Sequence, residues 1–205
     1  MSVAAVILAA GRSTRMGANK LVADLGGKPL IRRTSEAVLA SRARPVLLVT
    51  GHEPGKLAES LAGLDVVRVR NPRHAEGLST SLIAGIAALP DGALAALICL
   101  GDMALIKAAT LDRIIESFEK EPSVGAIVPA FGGEWGNPVL LSRKLFQSVA
   151  NLDGDTGARK LLQGRGDVRV LDVDDPAILI DADTPEALVE MRRRIGDAPA
   201  TGSCG

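Results

Sequence analysis

The 205-residue chain has no tyrosine, one tryptophan and three phenylalanines. So few aromatic rings exclude a base-stacking platform of the kind that holds single-stranded nucleic acid. They also leave the core to Ala, Val, Leu and Ile. Charge of one sign is missing too: 24 basic side chains meet 24 acidic ones, for a formal net charge of zero. No nucleic-acid partner is expected on that balance, and any anion must be held by a local cluster. The two cysteines, Cys99 and Cys204, are too far apart for a zinc motif and too few for a disulfide framework. Cys99 lies in an apolar run and reads as a small buried hydrophobe. The two histidines, His52 and His74, read as loop residues rather than catalysts. No apolar run is long enough to cross a bilayer, and the first ten residues lack the basic start of a signal peptide. A soluble, cytoplasmic protein with no membrane partner is the expectation.

What is present is an alternation. Short apolar runs at 3–8, 45–50, 66–69, 94–100 and 125–129 are separated by helical patterns at about 29–41, 56–62, 78–89 and 110–120. That order predicts an α/β fold with a mostly parallel sheet flanked by helices on both faces. Further short strands are expected near 139–141, 168–171 and 178–180. Thr110 is expected to cap one helix, and Thr184 with Pro185 to open the last one. One domain is expected over 1–195, with a loop-rich region at about 131–171 covering the sheet edge on the acceptor side. A flexible tail is expected at 196–205.

Residues 8–20, Leu-Ala-Ala-Gly-Arg-Ser-Thr-Arg-Met-Gly-Ala-Asn-Lys, follow the first strand. Gly11 and Gly17 permit a close backbone approach. Arg12, Arg15 and Lys20 bring three cations, and Ser13 and Thr14 bring hydroxyls. A turn of this kind suits a polyphosphate, whose oxygens take backbone N–H groups and whose charge the cations balance. It is not a P-loop, since five residues separate the two glycines and Ala-Asn-Lys follows. Nor is it the Gly-x-Gly-x-x-Gly dinucleotide fingerprint.

In parallel α/β sheets, ligands gather at the carboxyl ends of the strands, where Gly101 and Asp102 also fall. A carboxylate ending an apolar strand needs a partner, and Mg²⁺ would supply one, taking one or two carboxylates with water and phosphate oxygens. Asp183, with Asp181 behind it, offers a second carboxylate, although an Asp before Thr-Pro also suits a helix start. Gly77 and Ser81 open a helix at the same edge, where a base or ribose would fit; the serine also reads as a plain cap.

Together these segments resemble the MobA-like NTP transferases. The 8–20 stretch is similar to that family's signature. The resemblance continues at 77–82, at Leu-Gly-Asp-Met 100–103, at Gly-Asn-Pro 136–138, at Gly-Asp-Thr-Gly-Ala-Arg 154–159 and at 181–186. The Ala-Ala-Gly form at 9–11 resembles the branch of cytidylyltransferases that mature molybdenum cofactor; the guanylyl branch usually shows Ala-Gly-Gly. The resemblance implies a Rossmann-like nucleotidyltransferase fold and transfer of CMP from CTP to the terminal phosphate of molybdopterin, with release of pyrophosphate. It implies that Arg15, Lys20 and Asp102 carry the chemistry. Ala9, Ala10, Gly11, Arg12, Ser13, Gly77 and Ser81 would bind the nucleotide, and Asn137, Pro138, Asp155 and Thr156 the acceptor. Asp102 and Asp183 would hold Mg²⁺. Partners implied are CTP or another NTP, a phosphorylated small-molecule acceptor and a molybdenum hydroxylase. Many relatives carry His where this chain has Asn137, and Pro where it has Ala104. Rival readings are GTP as donor, a sugar phosphate or methylerythritol phosphate as acceptor, or a non-catalytic protein that delivers cofactor to a hydroxylase.

Overall fold

A computed structural model describes residues 2–11, 20–51, 54–155 and 157–196. The chain runs β1 (Ser2–Ala9), α1 (Leu30–Ala40), β2 (Val46–Thr50), α2 (Pro54–Ser60), β3 (Val67–Arg70), α3 (Leu78–Ala87), β4 (Ala93–Leu100) and α4 (Ala108–Lys120). It continues with β5 (Ala126–Phe131), β6 (Glu134–Trp135), β7 (Val139–Ser142), α5 (Phe146–Val149), α6 (Ala158–Leu162), β8 (Val168–Asp172) and α7 (Pro185–Arg194). The strands form one eight-stranded sheet in the order β3-β2-β1-β4-β7-β5-β6, with β8 also paired to β5.

Strand β1 shows why this sequence folds as it does. Its apolar run is buried on both sides, as a central parallel strand requires. Ala5, Ile7 and Ala9 face a core shared with Leu30, Ile31 and Val38 of α1 and with Leu111, Ile114 and Phe118 of α4. Val6 and Leu8, with Ala10 just beyond the strand, face a second core with Leu82 and Ile86 of α3. Strand β4 repeats the pattern, with Leu97 and Cys99 on the first side and Ala96 and Ile98 on the second. Gly85 lets α3 lie close: a Cβ there would come within 2.4 Å of Val6 Cγ1 and 3.0 Å of Val49 Cγ2. Cys99 is buried as expected, and burial pushes its thiol up to about 12, so it is not a nucleophile.

Register sets the position of the site. Ala9 pairs with Thr50, Thr50 with Arg70 and Leu8 with Leu100, all in parallel. The carboxyl ends of β1, β2, β3 and β4 therefore finish along one edge. Three pairings are antiparallel, β4–β7, β5–β7 and β5–β6. The region at 131–171, expected to lie over the sheet edge, thus also supplies β7, a fully buried strand in the interior between β4 and β5.

Two local expectations are corrected. Residues 178–180 are not a strand; Pro176–Leu179 forms a 3-10 turn, with Asp175 accepting a hydrogen bond from the Ala177 N–H at 3.2 Å. Thr110 does not cap α4, which begins two residues earlier. Its hydroxyl is buried and donates to Asp175 at 2.5 Å. Thr184 does cap α7, accepting from the Ala187 N–H at 3.2 Å. Among the described residues no helix is long and apolar enough to cross a membrane.

Candidate active site

The carboxyl edge of the sheet opens into a cleft of about 630 Å³. Ala10 and Gly11 enter it from the end of β1, Gly101 and Asp102 from the end of β4, and Asp181 and Asp183 from the segment before α7. Gly77, Leu78 and Ser81 line the opposite wall at the start of α3. Ala9 is buried directly behind Ala10.

The floor is a charge cluster. Lys20 begins a 3-10 turn, Lys20–Val22, anchored by the buried Leu21. Its Nζ donates to Asp102 Oδ2 at 2.6 Å and to Asp183 Oδ1 at 2.5 Å. These residues lie 82 and 163 positions from Lys20 in the chain. Asp102 is buried, whereas half of the Asp183 side chain is exposed. The partner that a buried Asp102 requires is thus Lys20 in this structure. The backbone holds the aspartate in place: the Gly101 N–H donates to Leu8 O at 2.9 Å, and the buried Thr34 hydroxyl donates to Gly101 O at 3.0 Å.

Titration follows from the same contacts. Burial pulls the Lys20 ammonium toward lower pKa, but the charge and hydrogen bonds of Asp102 and Asp183 outweigh it and raise it above its ordinary value. Asp181 is raised, first by burial and then by the charges of Asp102 and Asp183. Among the described residues, no group of three or more His, Cys, Asp or Glu side chains could hold a metal by itself. Two convergent carboxylates that already embrace one cation are nevertheless a hard oxygen donor set. Mg²⁺ fits such a set, because it keeps waters and phosphate oxygens in its other positions.

The sequence places the segment 71–81 at the ligand edge but assigns Asn71 no role of its own. That residue is buried just past β3, and its Nδ2 donates to Thr80 Oγ1 at 2.9 Å and to Ser81 Oγ at 3.0 Å. The Arg73 N–H donates to its Oδ1 at 2.9 Å, which fixes the amide orientation. Ser81 Oγ is therefore an acceptor on its buried side, leaving its own proton for the cleft. Position 71 gave one signal only, a polar residue directly after a strand at the ligand edge.

The expected acceptor residues do not lie together. Asp155 lines the first cleft, where its Oδ1 accepts from the Leu78 N–H at 3.3 Å. Gly154 packs so closely on Gly77, whose φ is +119°, that a Cβ at 77 would stand 2.2 Å from Gly154 O. Asn137, joined to Pro138 by a cis peptide bond, lines a second cavity of about 220 Å³ with Glu134, Trp135 and Arg159. Leu100 and Asp181 line both cavities. Arg12, Ser13, Arg15 and Thr156, expected at the site, lie outside the described residues, as do Thr14, Gly17, His52 and Cys204. His74 is in a turn, with Nδ1 3.3 Å from Asn71 O, and also lines the first cleft.

An α/β sheet with a charged cleft at its carboxyl edge, walled by a helix start and floored by two carboxylates and a lysine, suits a phosphorylated ligand. Comparison with known proteins gives the class, a nucleotidyltransferase. A model of the MobA-like NTP transferase domain matches residues 5–170, and the chain belongs to that family. It is 29% identical over 192 residues to the molybdenum cofactor cytidylyltransferase of Escherichia coli, covering 92% of this chain and 95% of that one. It is 32% identical over 202 residues to the purine catabolism protein PucB of Bacillus subtilis, with the same coverage. Among solved structures, Rv0371c from Mycobacterium tuberculosis superposes with a TM-score of 0.81 at 30% identity, over 94% of this chain and 99% of that one. A manganese complex of Rv0371c superposes with a TM-score of 0.78 at 28% identity, with the same coverage.

Proposed function

We propose that this nucleotidyltransferase moves CMP from CTP to the terminal phosphate of a molybdopterin-type acceptor and releases pyrophosphate. The observation that carries the reading is Lys20 held between Asp102 and Asp183 on the floor of the cleft beside Gly11 and the start of α3. An acceptor phosphate oxygen forms a bond to the α-phosphorus. The bond from that phosphorus to the bridging oxygen breaks, and its electron pair leaves with pyrophosphate. An anion attacking an anion needs charge shielding more than it needs a base. Lys20 supplies it at the leaving group, together with Arg15. Asp102 and Asp183 would hold Mg²⁺, which would supply charge neutralisation at the phosphate oxygens. That a relative, Rv0371c, is known in complex with manganese supports a divalent ion as part of the reading.

Ser81 offers a hydroxyl proton to an acceptor atom on a base. The likeness to a cytidylyltransferase supports CTP as the donor. The likeness to a purine catabolism protein supports a second reading, the same transfer to a different phosphorylated acceptor.

Pyrophosphate release, measured with each of the four NTPs and Mg²⁺, with and without molybdopterin, tests the proposal. Release with CTP only in the presence of molybdopterin is the expected result. Release only with another acceptor moves the protein to the second reading. No release under any condition leaves a carrier that delivers cofactor to a molybdenum hydroxylase.

A further inference from the structure

We infer that Lys20 stands in for the divalent cation: in the free protein its ammonium fills the place between Asp102 and Asp183, and a metal ion takes that place only after a triphosphate has drawn the ammonium away. The inference rests on the nucleotidyltransferase reading for the identity of the two ligands, a hard divalent ion and a polyphosphate.

The argument starts from Asp102. A buried carboxylate without a cation is strongly disfavoured, so one positive partner must be present at every stage. In this structure that partner is Lys20 Nζ, 2.6 Å from Asp102 Oδ2, and the same nitrogen is 2.5 Å from Asp183 Oδ1. Mg²⁺ binds oxygen at about 2.0–2.1 Å. It would need the same two oxygens that the ammonium occupies, and two cations cannot share them at such range without strong repulsion.

The ammonium can leave without moving the chain. Leu21 is buried and fixes the backbone, while the four-carbon stem of Lys20 is flexible. The side chain lines the cleft along with Gly11 and Gly77, so a polyphosphate lying there meets it directly. As the ammonium turns to phosphate oxygens, the Asp102 and Asp183 oxygens it held become open to a metal ion, which takes over the compensation of the buried Asp102 charge. Nucleotide and metal therefore bind cooperatively, and each raises the affinity of the other by the same factor.

The test is Mn²⁺ titration of the full chain without nucleotide, with free Mn²⁺ followed by electron paramagnetic resonance. Lys20→Met is expected to bind Mn²⁺ at least about 5-fold more tightly than wild type, the low end of ordinary coupling between sites. Lys20→Arg, which keeps the charge, is expected to stay as weak as wild type. Adding Asp183→Asn to Lys20→Met is expected to abolish the gain. If Lys20→Met folds only when Mn²⁺ is present, that result supports the inference equally. Equal affinity in wild type and Lys20→Met, including no detectable binding by either, overturns it, as does a Lys20→Met protein that Mn²⁺ cannot fold. These measurements involve no turnover, so absence of pyrophosphate release with every NTP would remove the proposed activity without deciding this outcome.

Discussion

The two cavities at the sheet edge share Leu100 and Asp181 but are built in opposite ways. The larger one is assembled from the ends of β1 and β4, the start of α3 and the segment before α7, and its floor is a cluster of two carboxylates and one ammonium, with Asp181 beside it. The smaller one is walled by Trp135, Asn137, Glu134 and Arg159. Its backbone is fixed locally, with the Gly136 N–H donating to Pro129 O at 2.7 Å and the Asn137 N–H to Ile178 O at 2.8 Å. Under the proposed function the difference would separate chemistry from recognition: the larger cavity would take the phosphates, and the smaller one would present the Trp135 ring and the Asn137 amide to the acceptor.

That division can be broken most forcefully in the larger cavity. Lys20→Ala and Asp102→Ala are each expected to lower kcat by about two orders of magnitude or more, measured as pyrophosphate release at saturating substrates. Next comes Asn71→Ala. It leaves Thr80, Ser81 and the Arg73 N–H without their buried partner, and is expected to reduce stability by about 1–3 kcal/mol in urea unfolding. It should also raise KM for the nucleotide while leaving KM for the acceptor unchanged. Trp135→Ala is the mirror experiment in the smaller cavity. Losing its ring is expected to raise KM for the acceptor by about tenfold, the size of one lost stacking contact of about 1–3 kcal/mol. The nucleotide KM should not move. If the two KM effects exchange places, the division of labour is wrong.

The smallest effect is expected at the seam. Asp181 has a pKa raised in the folded protein, so the native state holds that proton more tightly than the unfolded chain does. Its contribution to stability is therefore complete below the ordinary aspartate pKa and is lost as pH rises through the raised value. Asp181→Asn is expected to raise Tm near neutral pH and to leave it unchanged in acid. Thermal melts at the two pH values check it, and an equal shift at both would contradict the assignment.

Much of the fold was legible because its central strands are apolar over their whole length. β1, β2 and β4 are buried on both faces, and a run of that kind between helical patterns has few other readings. The residues at 176–179 were not, because a short apolar run carries no period. There Pro176 and the Asp175 cap turn the chain, while burial of Ile178 against the loop at Gly136 is a contact between distant segments. Thr110 failed for the same reason: its partner, Asp175, is 65 residues away. In the site, the motif spacing placed Lys20, Asp102 and Asp183 at one edge, and the structure brings them into contact. Asp155 was separated from Asn137 by tertiary packing alone, since its loop folds back on the start of α3. The place of Asn71 after a strand at the ligand edge was legible, but its role was not, because that role lies in which hydroxyls it orients, and a sequence does not state hydrogen-bond direction.

The place of β7 has a consequence for how the molecule comes into being. As the chain leaves the ribosome, β1, β2, β3 and β4 can pair among themselves, but β4 then shows an open hydrogen-bonding edge of alanine, leucine and isoleucine. The strand that covers it, residues 139–142, is made only after α4, β5 and β6, and it must enter between two strands that precede it. For that interval the nascent protein carries a sticky seam through what becomes its middle, so a chain stopped before residue 139 is the form in which self-association should be sought.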